Sequence, residues 1–193
     1  MRRRAVPELA SLILLLLLLA ASCAGARTGG SDPAITSLLS PEARGSTATV
    51  LAFVAPDCPI SNAYAPELER IHREYAPRGV GFCLVYVGEG TSRETAALHA
   101  ALYGYSCPIS VDASRELVRR TGAAVTPEVA VVSADGDILY LGRIDDRYPE
   151  LGVARTVPST RDLRDALDAV IGGRAVPVAR TRAVGCFIAD GAE

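Results

Sequence analysis

A chain of 193 residues, 49% of them hydrophobic, has the size and composition of a single globular domain with appendages. The formal net charge of −2 gives no reason to expect nucleic acid or an anionic membrane surface as a partner. Every Lys or Arg position is arginine, so lysine-based chemistry is excluded.

The first 26 residues have the three-part pattern of an export signal. Arginines at positions 2–4 precede an unbroken apolar run over residues 12–21, and small residues follow. The run is short for a membrane span but typical of a secretory signal, so we expect export. Two versions of the processing stay open. Cys23 lies in a segment that resembles a bacterial lipobox and would then carry a lipid anchor, whereas Ala24-Gly25-Ala26 resembles an ordinary cleavage site.

Composition divides the rest of the chain into three segments. Residues 27–45 are rich in Gly, Ser, Thr, Ala and Pro, which indicates a linker. Residues 46–173 contain the periodic apolar segments of one domain. Residues 174–193 contain Pro177 and little periodicity, so we expect an extended C-terminal arm that carries Cys186.

Apolar periodicity predicts the elements of the domain in chain order. Strands are expected at residues 48–54, 80–87, 108–111, 129–133 and 137–143, and helices at 62–75, 92–103, 113–121 and 160–171. Asp112 and Ser159 are the expected N-caps of the last two helices. The alternation of strands and helices predicts an α/β fold with a parallel core, and the terminal hairpin makes the central sheet mixed.

Cys58 is the strongest candidate for chemistry. It lies where the first strand ends and a helix begins, and Pro59 suits the first helical position, where a missing N–H is no loss. Unpaired N–H groups and the positive end of the helix dipole favour the thiolate there, which is the nucleophilic form of cysteine. The alternative interpretation is a buried structural cysteine.

Two neighbours of Cys58 act on its pKa in opposite directions. Ser61 stands where a disulfide oxidoreductase would carry a second cysteine. Its hydroxyl can donate a hydrogen bond to the thiolate but cannot form a disulfide with it. The carboxylate of Asp57 disfavours the thiolate. The sequence therefore leaves the direction of the pKa shift open.

The segment Val125-Thr126-Pro127-Glu128 precedes the predicted hairpin, and with the cysteine motif it carries a resemblance to a known family. A proline in this position occurs in tight turns and cis peptide bonds, although trans is the default from sequence alone. The segments that carry the resemblance are Asp57-Cys58-Pro59-Ile60-Ser61, Val125-Thr126-Pro127-Glu128, Gly142-Arg143-Ile144-Asp145-Asp146-Arg147 and Val184-Gly185-Cys186.

Together, residues 46–188 resemble the thioredoxin superfamily. More narrowly, they are similar to redoxin or peroxiredoxin-like (AhpC/TSA-type) proteins with a single N-terminal active-site cysteine. The resemblance implies a thioredoxin-like fold in which Pro127 is cis and lies, with Thr126, beside Cys58.

The same resemblance limits the activity. Peroxiredoxins carry Pro-x-x-x-Thr/Ser-x-x-Cys, whereas this chain has Leu51 and Ala55 at the corresponding positions. The hydroxyl that helps to orient a peroxide in that family is therefore missing from the motif. Ser61 likewise excludes a Cys-x-x-Cys oxidoreductase.

Cys186 can supply a second thiol. The arm can fold back across the domain, and Gly185 leaves its backbone free to adapt. One hypothesis is that Cys186 resolves Cys58 by forming a disulfide between arm and core. The other is that Cys186 belongs to a buried apolar plug with Val184, Phe187 and Ile188. The sequence does not give the Cα separation that a disulfide requires.

Two charged residues near these motifs are candidate supporting groups. Arg143 is a cation that can stabilise a nearby thiolate, and Glu128 adjoins Pro127. Most charged clusters of this kind are solvated ion pairs.

The remaining cysteines and both histidines have structural interpretations. Cys83 and Cys107 are expected to pack in the core, with a structural disulfide as the alternative. His72 and His99 lie on separate predicted helices without ligand spacing, so no metal site is expected.

The sequence thus predicts an exported thiol oxidoreductase that acts through Cys58, by thiol–disulfide exchange or thiol-dependent peroxide reduction. The expected partner is a protein or small-molecule thiol or disulfide in the extracytoplasmic space, either the periplasm or the outer cell surface. No Gly-rich nucleotide motif is present in the sequence, so no organic cofactor is expected. Two alternatives stay open: a metallochaperone that holds Cu(I) through thiolates, and a catalytically inactive redoxin-fold binding module.

Overall fold

The structure, a computed structural model, describes Ile35 and residues 45–189 of the chain. These residues all belong to one compact unit. The predicted export signal at residues 1–26, the candidate lipidation site Cys23 and most of the predicted linker lie outside the described residues. Within the described part of the chain, no helix is both long enough and apolar enough to cross a membrane.

The described segments contain seven strands and four helices, which are numbered here in chain order. They are β1 (Ala48–Val54), α1 (Pro59–Tyr75), β2 (Val80–Tyr86), α2 (Arg93–Leu102), β3 (Ile109–Val111), α3 (Glu116–Thr121), β4 (Val125–Thr126), β5 (Glu128–Ser133), β6 (Ile138–Gly142), α4 (Asp162–Ile171) and β7 (Cys186–Phe187). A short 3₁₀ turn over Ala76–Arg78 follows α1.

Five of the strands form one sheet in the order β3-β2-β1-β5-β6. β1, β2 and β3 are parallel, whereas β5 is antiparallel to β1 and to β6. Helices α1 and α2 make the two connections between the parallel strands. This arrangement confirms the predicted mixed central sheet flanked by helices. The remaining strands, β4 and β7, form a separate antiparallel pair.

Alternate residues of β1 pack into two cores, one on each face of the sheet. On one face Val50 packs in a cluster with Leu68 of α1 and Leu167 of α4. On the other face Phe53 belongs to a cluster that includes Ile35. Ile35 is completely buried, so one residue of the predicted linker is part of the core. Because both faces are covered, every residue of β1 is buried.

Helix α4 begins later than the sequence predicts. It starts at Asp162, not directly after Ser159. The backbone N–H groups of Ser159 and Thr160 donate to the carboxylate of Asp146 at 2.6 and 3.0 Å. This carboxylate satisfies the two N–H groups in a loop, so the segment does not enter the helix.

Helix α3 is also shorter than predicted. It begins at Glu116, because Arg115 adopts a left-handed backbone conformation with φ of 58°. Asp112, the predicted N-cap, lies three residues before the observed N-cap, Arg115. Its carboxylate nevertheless accepts the N–H of Val118 at 3.0 Å. The carboxylate still lies at the N-terminal end of the helix, where the dipole favours a negative charge.

The C-terminal arm is extended, as predicted, and folds back onto the edge of β6. The N–H of Leu141 donates to Ala179, and its carbonyl accepts from Thr181, at 2.9 and 3.1 Å. The hydroxyl of Thr181 accepts the N–H of Arg143 at 3.0 Å. Gly142 makes this close approach feasible, because a Cβ there would lie 2.1 Å from the Thr181 hydroxyl.

Candidate active site

Cys58 is the N-cap residue of α1, which begins at Pro59, three residues earlier than the apolar periodicity predicts. Its N–H donates to the carbonyl of Ala55 at 3.2 Å, which closes the turn after β1. The Cys58 sulfur accepts the N–H of Ser61 at 3.4 Å. The thiol therefore occupies the position where a helix N-terminus offers unpaired donors.

The environment of Cys58 favours its thiolate. Its side chain is buried, with 1% of the residue exposed. Burial by itself raises the pKa of the thiol, but hydrogen-bond donors from Cys186, Thr126 and Ser61 outweigh burial and lower the pKa to about 7. In its protonated form the thiol donates to the carbonyl oxygen of Thr126 at 3.0 Å. The structure thus gives the direction of the shift that the sequence left open.

Two buried hydroxyls beside Cys58 lack a partner in the thiol form. Ser61 is 1% exposed and Thr126 is 2% exposed. Among the described residues, neither hydroxyl oxygen has a hydrogen-bond partner. An unsatisfied buried hydroxyl costs about 1–3 kcal/mol. Both groups lower the pKa of Cys58, because ionisation supplies the acceptor that they lack. Both hydroxyls therefore favour the thiolate form of Cys58 over the thiol.

The arm brings Cys186 to Cys58. β7 pairs with β4 so that Cys186 lies opposite Thr126, whose carbonyl oxygen accepts the Cys58 thiol. Each of the two thiols shifts the pKa of the other, as expected of close neighbours. Gly185 permits this approach, because a Cβ on it would lie 1.9 Å from the Thr126 carbonyl oxygen and 3.2 Å from the nitrogen of Pro127.

Cys186 differs from Cys58 in exposure and in the direction of its pKa shift. It is an exposed free cysteine, and Phe187 beside it is 85% exposed, so the hypothesis of a buried apolar plug is wrong. Partial desolvation raises the pKa of Cys186, and the neighbouring Cys58 and Asp57 raise it further, to about 11. The carboxylate of Asp57 therefore acts on Cys186. The disulfide between Cys58 and Cys186 stays a prediction.

Pro127 and Glu128 shape the segment that faces Cys58. The Thr126–Pro127 peptide bond is cis, as the family resemblance implies. Glu128 is 7% exposed, and its carboxylate accepts the N–H groups of Ala124 and Val125 at 2.7 and 3.5 Å. These bonds hold the backbone that leads into Thr126.

The structure does not bring Arg143 to the thiol. Its guanidinium donates to the carboxylate of Asp162, with 2.9 Å between Nε and Oδ2, and to the hydroxyl of Thr160 at 3.3 Å. The ion pair with Asp162 raises the pKa of Arg143. Arg143 therefore holds the beginning of α4 and does not act at Cys58.

Cys83 and Cys107 are free cysteines that pack in the core, as predicted. They are 5% and 7% exposed, and burial raises the pKa of each thiol to about 12. They belong to the two different hydrophobic clusters. Over the described residues, no group of three or more His, Cys, Asp or Glu side chains is arranged to hold a metal ion.

The sequence analysis did not predict a series of hydrogen-bonded polar side chains that lies behind Cys58. Asn62 donates to the carbonyl of Pro56 at 3.0 Å and lies 2.9 Å from Nε2 of His99. The other ring nitrogen of His99 is 2.9 Å from the Tyr86 hydroxyl. Burial lowers the pKa of His99 and favours the neutral ring, which can donate from Nε2 and accept at Nδ1. The series anchors the turn that carries Cys58, and no sequence spacing links its members.

Comparison with known proteins identifies the class to which this fold and site belong. The family model described as Redoxin matches residues 28–157, which is more than half of the chain. The chain therefore belongs to the redoxin family, within the thioredoxin-like superfamily. The matched region includes Cys58 and Pro127 but ends before Cys186. A comparison with curated proteins found no match.

Solved structures share the fold. A protein from Geobacillus kaustophilus is 29% identical, with a TM-score of 0.69 over 78% of this chain and 82% of that chain. A protein from Sinorhizobium meliloti 1021 is 28% identical, with a TM-score of 0.67 over 76% and 81%. A Chlorobium tepidum protein described as a thiol:disulfide interchange protein DsbE is 16% identical, with a TM-score of 0.52 over 67% and 83%. These similarities confirm the thioredoxin-like fold.

Proposed function

We propose that this redoxin-family protein is a thiol oxidoreductase in which Cys58 and Cys186 form a dithiol–disulfide couple. The observation that carries the proposal is the position of Cys186, which lies opposite Thr126 while the carbonyl oxygen of Thr126 accepts the Cys58 thiol. At this site the pKa of Cys58 falls to about 7. At neutral pH a large fraction of Cys58 is then the nucleophilic thiolate, while Cys186 holds its proton.

The oxidising half of the cycle takes place at Cys58. Its thiolate attacks one sulfur of a disulfide, which gives a mixed disulfide and releases a thiolate. With a hydroperoxide it attacks the terminal oxygen, which gives a sulfenic acid and releases an alcohol or water. Cys186 then displaces the thiol or water from Cys58 and closes the disulfide between them.

The reactivity of Cys186 changes during the proposed cycle. Its pKa is raised in part by the hydrogen bond and the charge of the Cys58 thiolate. After Cys58 has reacted, that negative charge is gone and the pKa of Cys186 falls. Cys186 therefore becomes a better nucleophile at the step where it is needed.

The neighbouring residues have distinct supporting roles in this proposal. Ser61 and Thr126 donate to the thiolate of Cys58. Pro127 carries the backbone segment against which the two thiols meet, and Glu128 holds that segment through Ala124 and Val125.

Export to an oxidising compartment completes the proposal. The pattern of residues 1–26 supports a secretory signal, and such a compartment allows the disulfide to persist between turnovers. The partners would be extracytoplasmic thiols and disulfides, and lipidation at Cys23 would add a membrane anchor. The mass of the mature N-terminus, measured on protein recovered from the cell envelope, distinguishes a lipidated Cys23 from cleavage after Ala26.

A single-turnover experiment tests the chemistry. Reduced protein is mixed with an equimolar amount of hydrogen peroxide or, separately, of a small aromatic disulfide, and the products are mapped by mass spectrometry. Wild type is expected to end with a disulfide between Cys58 and Cys186. The Cys186→Ala variant is expected to stop earlier, with a dimedone-trapped sulfenic acid or a mixed disulfide on Cys58.

The controls separate this proposal from its alternatives. Cys58→Ala should form no disulfide at Cys186 within the chain, and Cys107→Ala should react like wild type. Cys58 that stays unmodified with both oxidants would contradict the proposal. In that case, Cu(I) binding that disappears in Cys58→Ala would favour the metallochaperone, and its absence would favour the inactive binding module.

A further inference from the structure

Arg115 occupies a position where local structure disfavours an arginine. Among the described residues it is the only one besides glycines with a positive φ, 58°. It is also buried, with 8% of the residue exposed, and it is the N-cap residue of α3. A left-handed backbone crowds the Cβ atom, burial disfavours a guanidinium, and the positive end of a helix disfavours a cation. These three features indicate that the side chain serves a contact outside its own turn.

The guanidinium of Arg115 reaches the end of the C-terminal arm. Its Nε donates to the carbonyl oxygen of Ala189 at 3.2 Å, and the two residues are 74 positions apart in the sequence. Its Nη1 donates to the carbonyl oxygen of Asp112 at 3.4 Å. A planar guanidinium with several fixed donors is suited to bind two carbonyls at once. The side chain therefore joins the turn before α3 to the end of the arm.

The segment of the arm around Cys186 depends on contacts on both of its sides. β7 consists of Cys186 and Phe187 alone, and both residues are exposed. Such a short strand pairing is marginally stable by itself. Upstream, the N–H of Thr181 donates to β6, but Thr181 lies five residues before Cys186. Downstream, the N–H of Ile188 donates to Ala124 at 3.0 Å, and the contact with Arg115 follows at the next residue. The downstream contacts are therefore the nearer anchors of the thiol.

We propose that Arg115 is a positioning residue for Cys186. The guanidinium holds the carbonyl of Ala189, three residues beyond Cys186, and so keeps the arm beside β4. In this way it sets the rate at which Cys186 closes the disulfide with Cys58. The inference rests on the proposed Cys58–Cys186 couple, and Arg115 acts on that couple through the backbone of the arm.

The step that Arg115 affects is closure of the disulfide after Cys58 has reacted with hydrogen peroxide. The sulfur of Cys186 forms a bond to the sulfur of the Cys58 sulfenic acid, and the sulfur–oxygen bond breaks. The oxygen leaves as water, with its own proton and the proton from Cys186, so no further reductant is needed. The rate of such a step depends strongly on the position of the attacking atom.

The Arg115→Asn variant tests the inference in the full chain. Asparagine tolerates the left-handed backbone region, so the turn before α3 can keep its shape, but its side chain is too short to reach Ala189. Reduced protein is mixed with hydrogen peroxide and quenched with acid at increasing times, and the disulfide between Cys58 and Cys186 is quantified by mass spectrometry. Because displacement of a reacting group by about 1 Å can cost about 10²-fold, we expect the partial release of the arm to slow closure by about 10-fold.

Two further variants provide a matched control and a rescue. Arg119 lies on α3 and donates to Ser114 and Glu116, so Arg119→Asn makes the same substitution without changing the contact with the arm. It should close the disulfide at the wild-type rate. Arg115→Lys retains a cationic donor long enough to reach the Ala189 carbonyl, so it should close within about 3-fold of the wild-type rate.

A pH profile separates positioning from a purely structural role. Cys186 is one of the groups that lower the pKa of Cys58. If Arg115 holds Cys186 in place, Arg115→Asn should move the midpoint of Cys58 alkylation to higher pH, whereas Arg119→Asn should leave it unchanged. A residue that only stabilised α3 would lower the urea midpoint of unfolding without moving the alkylation midpoint.

The opposite results would overturn the inference. Wild-type closure and an unshifted Cys58 midpoint in Arg115→Asn would show that Arg115 does not position Cys186, and so would equal slowing in Arg119→Asn. If Arg115→Asn does not fold, Arg115→Gly replaces it, because glycine adopts a φ of 58° without strain. A wild-type protein that forms no disulfide between Cys58 and Cys186 would contradict the proposed function itself. The alkylation midpoint would then still decide whether Arg115 holds Cys186 beside Cys58.

Discussion

The tetrapeptide Cys-Pro-Ile-Ser occurs twice in this chain, at residues 58–61 and 107–110, and its two cysteines have opposite chemical character. Both are buried, with Cys58 1% exposed and Cys107 7% exposed. Nevertheless the pKa of Cys58 is lowered to about 7, while burial raises that of Cys107 to about 12. Neither local sequence nor burial therefore determines the reactivity of a cysteine here.

The difference comes from the backbone around each copy. The first copy begins a helix of 17 residues, so the N–H of Ser61 turns back toward Cys58. The second copy leads into β3, and Ser110 pairs with Val85 in the sheet. A strand presents its N–H groups to a neighbouring strand and not to the preceding side chain. At Cys107 the backbone N–H groups of Cys107 and Leu84 also lower the pKa of the thiol, but they do not offset burial. The donors outweigh burial only where the tetrapeptide starts a helix.

The largest expected effect is the difference in ionisation between the two copies. At pH 7 about half of Cys58 is thiolate, and the five-unit gap in pKa makes the thiolate fraction of Cys107 lower by a factor on the order of 10⁵. Alkylation of Cys58 by iodoacetamide should accelerate as the pH rises through 7 and then level off. Mass spectrometry of the two peptides follows each site. If the alkylation rate of Cys58 instead rose with a midpoint near the pKa of an ordinary thiol, the claim that the site stabilises its thiolate would be refuted.

Removing the close approach of the arm should have the next largest effect. Gly185→Ala places a Cβ 1.9 Å from the Thr126 carbonyl oxygen, so the arm must move away from Cys58. A displacement of about 1 Å at a reacting centre can cost about 10²-fold in rate. We expect disulfide closure after peroxide treatment to slow by 10- to 100-fold on this basis.

Gly45→Ala is the matched control, since a Cβ at Gly45 has no atom within 4 Å. It should close the disulfide at the wild-type rate. Equal closure rates in both variants would mean that the position of the arm does not determine the reactivity of Cys186.

Removing one hydroxyl donor should have a smaller effect with two opposite consequences. Thr126→Val keeps the shape of the side chain but removes the hydroxyl that lowers the pKa of Cys58. The midpoint of the alkylation profile should therefore move to higher pH. At pH 5, where Cys58 is protonated and the hydroxyl has no partner, the variant should be more stable by about 1 kcal/mol.

This stability gain should shrink as the pH rises through the pKa of Cys58, because the thiolate then stabilises the wild-type hydroxyl. Urea unfolding at pH 5 and pH 8 measures it. A loss of stability at pH 5, without any shift of the alkylation midpoint, would show that Thr126 serves packing alone.

The smallest effect is expected at Arg143. Its guanidinium pairs with Asp162 at the beginning of α4, in a partly exposed ion pair. Arg143→Gln should lower the free energy of unfolding by about 0.5–1 kcal/mol. The alkylation midpoint of Cys58 should stay at its wild-type value. If the alkylation midpoint of Cys58 moved to higher pH in this variant, Arg143 would stabilise the thiolate, as the sequence analysis suggested.

The sequence predicted those parts of the site that depend on local structure. Cys58 follows a buried strand and precedes Pro59, so its place at a helix N-terminus could be inferred from neighbouring residues. The position of Pro127 followed from the family resemblance. The bounds of α4 were predicted less well, because the carboxylate of Asp146 binds the N–H groups of Ser159 and Thr160 from across a loop.

The rest of the site depends on contacts between distant residues. Gly185 contacts Thr126, which lies 59 residues earlier in the sequence. Only the packed structure shows that any side chain at position 185 would collide with the Thr126 carbonyl. The same holds for Arg143, whose partner is fixed by the packing of α4 against the sheet. A motif shows which groups are available, whereas the tertiary structure determines which of them meet.

Disulfide mapping in a thiol redox buffer tests the central claim most directly. The mature protein is equilibrated across a range of buffer potentials, its free thiols are alkylated, and its peptides are identified by mass spectrometry. The account predicts that a single disulfide between Cys58 and Cys186 appears and disappears with potential, while Cys83 and Cys107 stay free throughout. Free thiols at Cys58 and Cys186 under oxidising conditions, or a disulfide between Cys83 and Cys107 in their place, would contradict it.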